Sequence, residues 1–168
     1  MSGEDMKFNE TSLKNFNYTL TEAKRFADEN RIAFWIQCFL RECNNDYPNP
    51  NIGLADGLLL EERFYYGPVK INLDLIYAVR TEKDITDIEE MNTYNKIVDR
   101  ITKHIPEWDM PPFLVEYRSD GFFLTDGNHR YSALRNSSIN SYYAVIWGRI
   151  CDKEGAIKSA EKLGLFCH

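Results

Sequence analysis

Five residues able to do chemistry stand side by side: Asp126, Gly127, Asn128, His129 and Arg130, where an apolar stretch meets a short helical pattern. Imidazole can hold or move a proton near neutral pH. Guanidinium carries a permanent planar fork suited to phosphate or carboxylate, and the Asn128 amide both donates and accepts hydrogen bonds. Asp126 adds the one negative group, able to orient His129, cap the helix or hold a metal ion. Gly121-Phe122-Phe123-Leu124 reads as a buried strand, and Gly127 permits a sharp turn. Tyr131, Ala133 and Leu134 then form an apolar face at helical spacing, stopping at Arg135 and Asn136. A strand that turns at glycine into a helix leaves the first N–H groups of that helix without acceptors and aimed outward, which makes an anion cradle. The competing reading is conformational: Asp, Gly and Asn populate turns for backbone reasons, and Arg130 then forms a surface ion pair.

The rest of the chain must supply elements that hold this turn. Thr19-Leu20-Thr21-Glu22 has the form of a capping box, and Leu20, Ala23, Phe26, Ala27, Phe34, Ile36 and Leu40 follow at helical spacing. A helix over 20–42 is expected, with a break near Asn30. The Asn- and Pro-rich run 44–51 is a loop, and 58–66 fits either a short helix or an extended segment. Val69-Lys70-Ile71-Asn72-Leu73 alternates in period two, as a half-buried strand does. After a charged connector holding Arg80 and Glu82, Thr86-Asp87-Ile88-Glu89 forms a second capping box. The helix behind it presents Ile88, Met91, Tyr94, Ile97, Val98, Ile101 and Ile105 on one face, expected to cover a sheet, until Pro106. Pro111 to Tyr117 begins a strand, Arg118-Ser119-Asp120-Gly121 turns it into a hairpin, and Tyr142 to Trp147 is a last apolar strand. From Asp152 a capped helix turns Ala156, Ile157, Ala160 and Leu163 inward and ends at Gly164.

The motif Asp126-Gly127-Asn128-His129-Arg130, Ala133-Leu134 after it and Pro111-Pro112-Phe113-Leu114-Val115 before it resemble the ParB-like, or ParB/sulfiredoxin, family. The resemblance runs from Gly67-Pro68-Val69-Lys70-Ile71 to Tyr143-Ala144-Val145-Ile146-Trp147, close to half of the chain. It implies an α/β (α+β) fold, a small mixed sheet covered by helices, over residues 67–148. An N-terminal helical extension would span 1–66, and a C-terminal helix, 149–168, would pack on the same domain. It also implies a nucleotide, ATP, ADP or CTP with Mg2+, or another small anionic ligand, bound by Gly127, Asn128, His129 and Arg130. Arg80 is the candidate second phosphate contact, Asp126 the candidate residue near the metal, and Glu82, with His129 and Asp126, the candidate catalytic group.

Departures from the known subfamilies narrow the activity. Sulfiredoxin reads Gly-Cys-His-Arg and uses the thiol as nucleophile, whereas Asn128 stands at that position here, so a sulfiredoxin-type reductase is not expected. Chromosome-partitioning proteins read Gly-Glu-Arg-Arg and continue into a helix-turn-helix domain, for which little chain follows Trp147. What remains is a nucleotide-dependent phosphotransferase or hydrolase. The alternatives are a nuclease or single-stranded nucleic-acid-binding protein, and a non-catalytic module that senses a nucleotide or metabolite.

Bulk properties bound these choices. A chain of 168 residues suits one domain with a sizeable core. A net charge of -6 and a pI near 5.1 argue against a broad grip on double-stranded DNA. No apolar run is long enough to span a bilayer, and Met1-Ser2-Gly3-Glu4-Asp5 lacks a secretory layout, so the expected location is cytoplasmic with no membrane partner. Cys38, Cys43, Cys151 and Cys167 show no paired or His-matched spacing, so neither zinc nor a disulfide is expected. His104 suits the negative end of its helix, and His168 is the last residue.

Overall fold

The computed structural model describes residues 18–42, 50–78 and 85–167. Within them the helices are α1 Leu20–Asp28, α2 Ile32–Arg41, α3 Ile52–Leu58, α4 Ile88–His104, α5 Asn128–Asn136 and α6 Lys153–Leu163. The strands are β1 Arg63–Asn72, β2 Tyr77–Ala78, β3 Phe113–Arg118, β4 Gly121–Asp126 and β5 Ser141–Arg149. They form one mixed sheet in the order β1-β5-β3-β4-β2. β1 runs antiparallel to β5, β5 parallel to β3, β3 antiparallel to β4, and β4 parallel to β2. It follows that β1, β2 and β4 finish, and β3 and β5 begin, at one end of the sheet. That end carries the Asp126–Arg130 turn. The chain is thus of the expected mixed α/β class, a sheet covered by helices with an N-terminal helical portion.

Period-two alternation divides the sheet's side chains between two cores. Leu114, Val145 and Trp147 point to one face and pack with Phe26, Trp35, Phe39, Ala55 and Leu58 of α1, α2 and α3. Phe113, Val115, Ala144 and Ile146 point to the other, with Leu134 of α5 and Ala156 and Ala160 of α6. The N-terminal helical portion is therefore one layer of the sheet's own core.

The expected single helix over 20–42 is two helices. Asn30 takes a positive φ of 58°, which Asn tolerates better than most residues, and the chain bends before resuming at Ile32. The Thr19 hydroxyl accepts from the Glu22 amide at 3.1 Å, as the capping signal predicts. For α4 the cap is Asp87 rather than Thr86, its carboxylate accepting from the Glu89 amide at 2.9 Å. Starting one residue later leaves Ile88 at 77% exposure, off the apolar face. That face packs Tyr94, Ile97, Val98 and Ile101 with Ala133, so α4 covers the motif helix rather than the sheet itself.

The stretch 58–66, open between helix and extended chain, is extended from Arg63: α3 ends at its first residue, Leu58, and β1 opens at Arg63, upstream of the expected Val69. Its register with β5 shifts between Tyr66 and Val69. Gly67 there has φ 115°, and a Cβ would lie 2.6 Å from the Ala144 carbonyl oxygen, so only glycine fits. The β3–β4 hairpin turns through Ser119 and Asp120 at φ 48° and 61°, the left-handed pair that a two-residue hairpin loop requires. In α6 only Ala156 and Ala160 are fully buried, and Leu163 stays half-exposed. Gly164, left-handed, turns the chain so that Leu165 is buried instead. Among the described residues no helix is long and apolar enough to cross a membrane.

Leu114 is fully buried at the centre of the sheet, under the N-terminal helices. Leu114→Ala should lower unfolding free energy by about 2–5 kcal/mol in urea denaturation. A loss below about 1 kcal/mol would mean that these helices do not rely on the sheet for their core.

Candidate functional site

β4 delivers Asp126 to the edge of the core, and the backbone reverses at Gly127 with φ 112°. A Cβ at Gly127 would lie 2.5 Å from Cδ1 of Phe113 and 3.0 Å from Nη2 of Arg130. Both the backbone conformation and the space therefore demand glycine. Helix α5 starts at once: the Tyr131 amide donates to the Gly127 carbonyl at 2.8 Å. Gly127 has no side chain to cap the helix, so the first amides of α5 receive no bond from the N-cap position.

Arg130 does not lie on the surface. It is 1% exposed, among the largest fully buried side chains of the protein. Nη1 donates to the carbonyl oxygens of Pro111 at 2.5 Å and Pro112 at 3.2 Å, and Nη2 donates to Oδ2 of Asp126 at 2.9 Å. The guanidinium carbon sits 5.3 Å from the ring centroid of Phe113 and 5.6 Å from that of Phe39. The surface ion pair that the turn chemistry allowed is a core ion pair instead, and the fork expected on a phosphate is engaged internally. Desolvating a charge is tolerable only with such pairing, and Nε of Arg130 is left buried with no hydrogen-bond partner among the described residues. Asp126 is equally committed, since its Oδ1 accepts from Nδ2 of Asn51 at 3.1 Å. Asn51 also caps α3, its Oδ1 accepting from the Leu54 amide at 3.4 Å. The pair thus ties together the start of β3, the end of β4, the motif helix and α3.

Neighbouring residues on α5 point elsewhere. Asn128 is partly buried, and its Oδ1 is fully buried with no hydrogen-bond partner among the described residues. His129 is partly exposed and lies against α4, its ring centroid 4.8 Å from that of Tyr94 at an interplanar angle of 37°. The Tyr94 hydroxyl is hydrogen-bonded to Oγ of Ser132, one turn further along α5. Arg80 and Glu82 fall outside the described residues, as do Cys43 and His168. The described positions on either side of that connector are both near the motif: Ala78 pairs with Leu124, and Ile85 is buried in the cluster that holds Ala133.

Asn51, Phe39, Tyr94 and Ser132 join the site without having been singled out for it. Asn51 looked like one more loop residue, although Asn before a short apolar run is a cap signal. Tyr94 counted only as part of an apolar face. Among the described residues no group of three or more His, Cys, Asp or Glu side chains could hold a metal ion, and Cys38, Cys151 and Cys167 are free thiols. Comparison of the chain with family models, with curated proteins and with solved structures finds no match.

Tyr142 buttresses the same region, its hydroxyl donating to the Met110 carbonyl at 2.7 Å, just before Pro111. Burial, followed by the charge of Asp109, pushes its phenol from the usual 10 up to about 12. Burial does the same to Tyr65, also to about 12. Between those values the unfolded phenols have released protons that the folded ones retain, so stability falls as pH rises from about 10 to 12. Tyr142→Phe should flatten that alkaline slope in urea titrations repeated across the interval; an unchanged slope would assign it to other groups.

The core ion pair makes a second prediction. Arg130→Ala should cost about 3–5 kcal/mol by leaving Asp126 buried without its cation, and Arg130→Lys should recover only part, lacking the planar fork. Joint replacement by Arg130→Met and Asp126→Leu should destabilise less than the sum of the two single changes, measured by the same denaturation. Additive losses would show that the two side chains act independently.

Proposed function

We propose that the start of α5 binds the phosphate group of a nucleotide or similar small anion, with the amides of Asn128, His129 and Arg130 as the cradle. The observation that carries this reading is the helix start itself: a left-handed Gly127 without a capping side chain, held rigid from below by the Arg130–Asp126 pair. His129 can donate to a phosphate oxygen or shuttle a proton, and Asn128 can contact the ligand with its amide. Arg130 is a positioning residue in this scheme. Both oxygens of Asp126 are engaged, by Asn51 and Arg130, so Mg2+ would come with the nucleotide rather than be held by this carboxylate. The resemblance to ParB-like nucleotide sites supports the same assignment. A nucleotide-dependent transferase or hydrolase further requires a base, for which Glu82 remains the proposal, with Arg80 as a second phosphate contact.

One observation favours a second, non-catalytic reading. The Asn51–Asp126 hydrogen bond links the turn directly to α3, so a bound anion could be sensed by the N-terminal helical portion without turnover.

Titration calorimetry with ATP, ADP and CTP, each with Mg2+, tests the site. One nucleotide should bind more tightly than about 1 mM, roughly -4 kcal/mol, and His129→Ala should weaken it by about tenfold. No binding at that level would sink the proposal. Phosphate release measured in the same mixtures separates turnover from sensing.

A further inference from the structure

Tyr94 lies almost wholly buried on α4, yet it meets two polar side chains of the motif helix. Its ring packs on the imidazole of His129, and its hydroxyl bonds to Ser132. His129 and Ser132 are three residues apart on α5, hence neighbours on one helical face. The tyrosine spans that face: the hydroxyl tether fixes where the ring can lie, and the ring fixes which way the imidazole can turn. Ala133 packs in the same α4–α5 cluster, so the contact belongs to a built interface rather than to two chance surface side chains.

We infer that Tyr94 is a positioning residue for His129, holding the imidazole in one orientation beside the N-terminal end of α5 for use on a phosphate ligand. The ligand part of this inference rests on the proposed function. The orientation part does not, because the ring contact and the tether carry it without any ligand. Holding the imidazole in place removes rotamer entropy that anion binding would otherwise have to overcome. This task needs no proton transfer by the phenol. Ser132 acts one step further back, by anchoring the hydroxyl.

The test uses proton NMR of the histidine ring signals together with phosphate titration. The chain has 3 histidines, so the spectrum of His129→Ala identifies the His129 signals by their disappearance. In the native protein they should be displaced by the Tyr94 ring current. Tyr94→Leu should return them to the ordinary range, whereas Tyr94→Phe, which keeps the ring, should preserve most of the displacement. Ser132→Ala, at a partly exposed position, removes the tether without altering the core and should produce a smaller change of the same sign. Inorganic phosphate affinity should fall about three- to tenfold in Tyr94→Leu and recover with Tyr94→Phe, as expected for one aromatic pair. Folded variants in which the His129 signals ignore both Tyr94→Leu and Ser132→Ala would overturn the inference. If the native protein binds neither phosphate nor nucleotide, the proposed function fails, and the ring signals still decide whether Tyr94 orients His129.

Discussion

A guanidinium sealed inside the protein is the constraint around which the structure is arranged. Arg130 brings a permanent charge into the core, and the carbonyls of Pro111 and Pro112 together with Asp126 make that tolerable. The dependence is mutual. The two carbonyls stand at the entry to β3, where a buried acceptor must find a donor, and the arginine supplies it. Asp126 needs a cation because it is itself nearly buried, and Asn51 satisfies its other oxygen. Gly127 follows from the same crowding, since any side chain there would strike Phe113 and press on Arg130.

Helical geometry then gives successive residues different tasks. At about 100° per residue, Arg130 and Leu134 lie on the face turned to the sheet, while His129 and Ala133 lie on the face turned to α4. A motif of five residues thus divides into an inner scaffold, Asp126 and Arg130, and a flank on which His129 lies against α4. Rigidity below the turn matters for any ligand above it. Backbone amides bind an anion well only when they need not be reorganised, and an ion pair anchored to two strands and two helices supplies that stiffness.

How much of this was legible can be argued from single residues. Gly127 announced a turn and the apolar pattern after it a helix, and both are present. Pro111 and Pro112 marked the start of a strand, and the structure adds that its residues of opposite parity, Phe113 and Val115 against Leu114, enter different cores. Asn30 announced the break in the first helix. The second capping box misled by one position because Thr86 and Asp87 are both good caps, and local sequence alone does not rank them. The inward helix face of α6 was overestimated at Leu163, because Gly164 redirects the chain and Leu165 takes the buried place.

By itself the sequence determined most of the element types, the mixed α/β class and the position of the glycine turn into the motif helix, because these follow from periodicity, glycine and proline over a few neighbouring residues. Only the tertiary structure decided what the charged side chains do. An arginine beside a turn looks the same in sequence whether it faces solvent or core, and its direction was settled by the two proline carbonyls and Asn51, between 18 and 79 residues away along the chain. The pairing of Tyr94 with His129 is of the same kind, created where α4 crosses α5. Charge burial and ring contacts are non-local, so they are set by packing and appear only once the chain is folded.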